Sequence, residues 1–178
     1  MNATVRSAAA VISVLLLALL AAGCEDTTPT PAEREAVETA VRSYLDALAE
    51  AYSTLDVSPL EGLASPNEIQ TVEKLLRTLA LSGNDRVDSE LIGFDVETMI
   101  VFRRINATVR LIEVWDVTRY NLTTGQVKGR NPSSLQNTVL QLRRIDGAWL
   151  VIGRTVTLQD AAEDPPAEDT GGEGEESG

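Results

Sequence analysis

From Val37 to Leu55 the apolar residues Val37, Val41, Tyr44, Leu45, Leu48, Tyr52 and Leu55 return every three or four positions, with charged and small residues between them. That spacing places them on one face of a helix. The start is marked by Thr30-Pro31-Ala32-Glu33, a capping box with proline at the first helical position, where its missing N–H costs nothing. An amphipathic helix to about Thr54 is predicted. The signature recurs in Ser65-Pro66-Asn67-Glu68, after which Ile69, Val72, Leu75, Leu76 and Leu79 mark a second helical face. Ser82-Gly83-Asn84-Asp85 should end that helix, with Gly83 as its left-handed cap. In the loop between the helices, Leu60 and Leu63 are expected to pack beneath them.

After Arg86 the period changes to two and β-branched residues dominate. Ile92, Phe94 and Val96 alternate, Met99 to Phe102 continues as an apolar run, and Gly93 marks a place for a bulge in one long strand. In the next strand, opened by Asn106, one face carries Ala107, Val109, Leu111, Glu113, Trp115 and Val117. The other carries Thr108, Arg110, Ile112, Val114 and Asp116. The stretch NLTTGQVKGRNPSS reads as a polar connection, followed by a strand from Leu135 to Ile145. Asp146-Gly147 then suits a two-residue type I′ hairpin into a last strand, Ala148 to Leu158. Helices grouped before antiparallel strands imply an α+β domain: two N-terminal helices packed in a curved antiparallel sheet of about four strands, a cone-shaped roll over residues 31–158.

The two ends follow other patterns. Residues 1–23 have a short polar start with Arg6, then an uncharged apolar run from Ala8 to Gly23 that falls short of the ~20 residues of a spanning helix. This is the layout of an export signal. Leu20-Ala21-Ala22-Gly23-Cys24 resembles the bacterial lipobox, with Ala21 where leucine is favoured. The resemblance implies that diacylglycerol is attached to Cys24, the only cysteine, and that the mature chain begins there. Lipidation also removes a lone thiol that would be a liability in an oxidising compartment. Residues 24–30 then form a lipidated cysteine and a proline-stiffened spacer that lifts the domain off the membrane. The expected location is extracytoplasmic, lipid-anchored to the bacterial cell membrane or outer membrane.

Charge sharpens this picture. The net charge is −12, and residues 159–178 supply eight of those negative charges with no basic residue. Glycine, proline and carboxylates bury too little apolar surface to offset chain entropy, so this acidic tail is expected to be disordered. The remaining balance is also negative, which argues against a nucleic-acid partner. Arg103, Arg104, Arg110, Arg119, Lys128, Arg130, Arg143, Arg144 and Arg154 concentrate in the sheet half; they are read as a solvated face, with a basic face toward anionic lipid headgroups as the alternative.

The order of elements and the closing Asp146-Gly147-x-Trp149 hairpin are similar to the nuclear-transport-factor-two-like superfamily, which includes SnoaL-like and cystatin-like rolls. The resemblance covers nearly all of residues 31–158 and implies either a binding or assembly module or an acid–base enzyme of isomerase, cyclase or dehydratase type. Enzymes of that superfamily place Asp, His or Tyr inside the cone. This chain has no histidine and only one cysteine, and shows no phosphate-binding or dinucleotide motif; no cofactor, metal site or assigned catalytic residue is expected.

Glu113 and Trp115 are the candidate ligand-contacting residues. Glu113 interrupts an otherwise apolar face, so it either lies in a pocket, where it could move a proton, or lies at the cone mouth, or pairs with Arg143 or Arg154 on a neighbouring strand. Trp115 and Trp149 either flank a ligand or fill the core. The expected partners are the membrane, through the lipid, and a small apolar ligand, a protein, or a second copy dimerising through the sheet. The expected function is a lipid-anchored, non-catalytic binding module.

Overall fold

In the computed structural model, residues 26–158 are described. Cys24 and the acidic tail from residue 159 lie outside the described residues. Helix α1 spans Pro31–Thr54 and opens as the sequence predicts: the Thr30 hydroxyl accepts from the Glu33 amide, and the Glu33 carboxylate accepts from the Thr30 amide at 2.9 Å. Val37, Val41, Tyr44, Leu45, Leu48 and Ala51 form its buried face. A short 3₁₀ turn, Ser58–Leu60, then buries Leu60 beneath the helices.

Helix α2 spans Pro66–Thr78 and differs from its sequence reading in two ways. Its buried stripe is Glu68, Val72 and Leu76, whereas Leu75 is 46% exposed. Its end is also different: the chain passes through a π-helical turn, Leu79–Gly83, and the left-handed residue is Asn84, not Gly83. Asparagine tolerates that conformation. Gly83 serves space instead, because a Cβ there would come within 2.9 Å of the Asp85 carboxylate.

Four antiparallel strands follow in chain order, β1 (Asp85–Phe102), β2 (Asn106–Asn121), β3 (Val127–Ile145) and β4 (Ala148–Leu158). The β1 register shifts between Leu91 and Gly93 and again between Val96 and Thr98, so the long strand bends twice. β3 begins at Val127, eight residues earlier than predicted. Its proline is accommodated at an irregularity where Asp116 stands between the Trp115–Ser134 and Val117–Asn131 pairs. There Ser133 takes a positive φ and its amide donates to Asp116 Oδ1 at 2.7 Å, so a side chain replaces the missing ladder acceptor. The Asp146-Gly147 hairpin has positive φ at both residues, as type I′ requires.

The inner sheet face, Val101, Ala107, Val109, Leu111, Leu140, Leu142 and Val151, packs on the apolar face of α1. The free edge of β4 is covered in part by the loop before α2: the Ser65 amide donates to the Val151 carbonyl, and the Val151 amide to the Leu63 carbonyl. No helix of the described residues is long and apolar enough to cross a membrane.

Candidate functional site

The β2 alternation turns Glu113 and Trp115 inward, toward α1. In the ladder Glu113 stands between Phe94 of β1 and Gln136 of β3. It is fully buried, and its Oε2 accepts from Trp115 Nε1 at 2.8 Å and from Arg154 Nη2 at 2.6 Å. The same Arg154 nitrogen donates to Gln136 Oε1 at 3.2 Å. Arg154 sits on β4 opposite Leu140, so its long side chain runs diagonally across the inner face to reach both groups. Of the two cross-strand partners open to Glu113 from sequence, Arg154 is the one engaged; Arg143 instead approaches Asn106.

The ion pair does not use all its hydrogen-bonding capacity. Glu113 Oε1, Arg154 Nε and the hydroxyl of Thr138, which lies on the same inner face, are buried without a hydrogen-bond partner. A second polar pair enters the core from the helices: the Tyr44 hydroxyl donates to Glu68 Oε1 at 2.7 Å. Burial, reinforced by Glu68, holds the Tyr44 phenol far above its ordinary range. Burial also raises the Tyr52 phenol, with Arg154 opposing the shift and Glu68 and Glu113 adding to it. Two tyrosines, two carboxylates and one arginine therefore interact inside the roll.

A pocket of about 120 Å³ opens above this cluster, lined by Leu48, Tyr52, Trp115, Val117, Gln136 and Arg154, with Val87 and Ser89 at its β1 side. Trp115 thus lines the pocket with its ring while its N–H is held by Glu113. Glu113 itself lies beneath and is not part of the lining. Ligand sites for drug-sized molecules run to about 300–1,000 Å³, whereas an apolar cavity of about 150 Å³ takes benzene. The space is slightly smaller than that and open on one side, so it admits at most one small ring with any substituent at its mouth, not a fused polycycle.

Sequence reasoning had Glu113, Trp115 and the Arg154 alternative. It had Tyr44 and Tyr52 as face residues of α1 and Glu68 as a capping residue. Their convergence with Arg154 follows from how the helices enter the cone. Glu68 illustrates the difficulty: the Ser65 hydroxyl accepts from its amide as a cap should, but its carboxylate turns inward to Tyr44 rather than back to the Ser65 amide. Its spacing from Val72 and Leu76 was the available signal.

Comparison with solved structures settles the architecture. The chain is similar to the intermembrane-space region of the chloroplast protein ARC6, with 12% identity, 74% of this chain and 100% of that one covered, and a TM-score of 0.58. It is also similar to a ketosteroid isomerase-like protein from Erwinia carotovora atroseptica SCRI1043, with 15% identity, 74% and 99% covered, and a TM-score of 0.52. The fold these share is an α+β roll, helices packed on a four-stranded antiparallel sheet. At these identities the likeness is one of fold. No family model and no curated protein matches the sequence.

Proposed function

We propose that this protein is a lipid-anchored extracytoplasmic module whose roll binds a small ligand without transforming it. The observation that carries the reading is the state of Glu113. Its Oε2 already accepts two hydrogen bonds, one of them charge-assisted, and the residue lies below the pocket floor. A general base must reach the proton it abstracts, directly or through one water. Here Oε2 is committed to Arg154 and Trp115, the partnerless Oε1 is buried outside the pocket lining, and Arg154 with Gln136 supplies the polar edge of a one-ring pocket.

Acetophenone, a single-ring ketone, tests binding and catalysis together. In a Trp149→Phe chain, where Trp115 is the sole indole, binding predicts a saturable change in emission, with no catalysed exchange of the ketone α-protons into deuterated water. Exchange that is catalysed by the wild-type chain and lost in Glu113→Gln would replace this reading with an acid–base enzyme. The anchor is checked separately by intact mass of the membrane fraction, which should show a chain beginning at Cys24 and carrying lipid.

A further inference from the structure

The first described residues are not a free tether. The Val101 amide donates to the Thr27 carbonyl at 2.9 Å, and Arg104 reaches both the Thr28 carbonyl and the Glu33 carboxylate. The spacer is thereby held against the end of β1. Three residues of extended chain span at most about 11 Å, so Cys24 itself can lie no farther than that from Thr27.

The end of the sheet at which the spacer is held has an unusual surface. The β1–β2 turn, Phe102-Arg103-Arg104-Ile105, and the β3–β4 turn at Asp146-Gly147 lie side by side, joined by the Arg144 amide donating to the Ile105 carbonyl at 2.7 Å. Ile100, Phe102, Ile105 and Ile145 are 50%, 42%, 49% and 41% exposed there. Arg103, Arg104, Arg143 and Arg144 stand among them, against Asp146 in the adjacent turn. Arg104 is engaged by Glu33, Arg143 approaches Asn106, and the Arg103 guanidinium lies over the Phe102 ring at 5.0 Å.

Backbone conformation adds an independent indication. Arg103 and Arg104 both have positive φ, in a turn closed by the Ile105 amide on the Phe102 carbonyl. Such turns favour Asn-Gly, and left-handed conformation is costly for residues with a Cβ. Two arginines at these positions indicate that their side chains are wanted at the tip. The basic residues at the opposite end of the sheet are arranged differently, since Lys128 and Arg119 gather around Asp85.

We infer that this end of the sheet, Ile100, Phe102–Ile105 and Arg143–Ile145, is a docking surface for an anionic phospholipid membrane. The inference rests on the reading of Cys24 as the lipidated residue, because the attached acyl chains would bring this surface to headgroup level. Apolar isoleucine and phenylalanine side chains then enter the interface while the amphipathic arginines meet headgroup phosphates. The domain consequently lies on the bilayer in one orientation, with its pocket turned away from the Arg103–Arg104 turn, and is not lifted off by the spacer.

The test uses the chain from residue 24 onward, with Cys24→Ser so that no lipid is attached, and flotation on vesicles. Vesicles of phosphatidylcholine mixed with phosphatidylglycerol should retain the protein several-fold better than pure phosphatidylcholine, and added salt should reduce the difference. Arg103→Ala with Arg143→Ala should reduce retention by roughly five-fold per arginine, following about 1 kcal/mol for each basic residue near such a surface. Arg130→Ala at the far end should leave it unchanged. Circular dichroism of each variant confirms folding. Equal retention on both vesicle types, or equal loss with Arg130→Ala, overturns the docking surface and leaves an acidic protein as the candidate for this end. In the lipidated chain on anionic vesicles, amide exchange should slow at residues 102–106 and 144–148; unchanged exchange there also overturns the surface while leaving the anchor intact. Retention by the unlipidated chain, together with an intact mass that shows no lipid, would sustain the surface and refute the anchor.

Discussion

Tyr44 of α1 and Glu68 of α2 meet inside the core, the phenol donating to the carboxylate at 2.7 Å while both residues are buried. This bond ties the second helix to the first inside the core, and both groups are buried away from solvent. Tyr44→Phe keeps the ring and removes the donor, leaving Glu68 Oε1 without this partner. A loss of about 1–3 kcal/mol is expected, read as a shift in the urea midpoint with little change in slope. A change within the noise of the midpoint would show that Glu68 finds water in place of the hydroxyl.

Arg154 and Glu113 give a second, separable effect. Removing the guanidinium by Arg154→Met leaves a fully buried carboxylate with only Trp115 as donor, and a loss of about 3–5 kcal/mol is expected. Replacing both members, Glu113→Leu with Arg154→Met, removes the stranded charge and should regain most of that loss. The double-mutant cycle should therefore show strong coupling. Additive losses would mean that the pair is screened by solvent and that the pocket floor is open.

The buried phenols set the response to alkali. Tyr44 and Tyr52 are both held protonated in the folded chain beyond their ordinary value of 10.0, chiefly by burial. A group whose folded pKa is raised contributes stability that is complete below the unfolded value and is lost as pH rises above it. Denaturant midpoints should therefore hold from neutral pH to about pH 10 and then fall. The Tyr44→Phe/Tyr52→Phe chain should fall less steeply over the same interval, which separates the phenols from the titration of lysines. Parallel curves for the two chains would refute the assignment.

Much of the fold was legible because local and global preferences agree. Thr30-Pro31-Ala32-Glu33 caps a helix whose apolar face is also the one the sheet covers, and Asp146-Gly147 satisfies a turn that the flanking alternation already demands. The inward face of β2 was legible for the same reason, Glu113 included. Where two uses compete for one residue, the pattern misleads. Glu68 stands at a capping position but belongs to the core, and Leu75 follows helical spacing yet remains nearly half exposed because the sheet covers the stripe through Val72 and Leu76. The pocket was not legible, since it is assembled from α1, β1, β2, β3 and β4 and depends on a diagonal reach by Arg154 that no local spacing encodes.

The start of β3 was concealed by Gly129, Asn131 and Pro132, residues that signal a loop, and the reason it is a strand supplies a last prediction. Asp116 Oδ1 takes the Ser133 amide at 2.7 Å and so carries the ladder past the irregularity. Asp116→Ala removes that acceptor from a strand with few other restraints, and a loss of about 1 kcal/mol is expected. Because Val127–Asn131 pairs only with β2, the loss should be local, with amide exchange accelerating over Lys128–Asn131 while Leu140 and Leu142 remain protected. Ser133→Gly should act oppositely: its positive φ costs nothing for glycine, so a gain of about 0.5–1 kcal/mol is expected while the Asp116 bond is kept. If Asp116→Ala instead accelerates exchange across the whole sheet, this segment is part of the cooperative core and not an added edge.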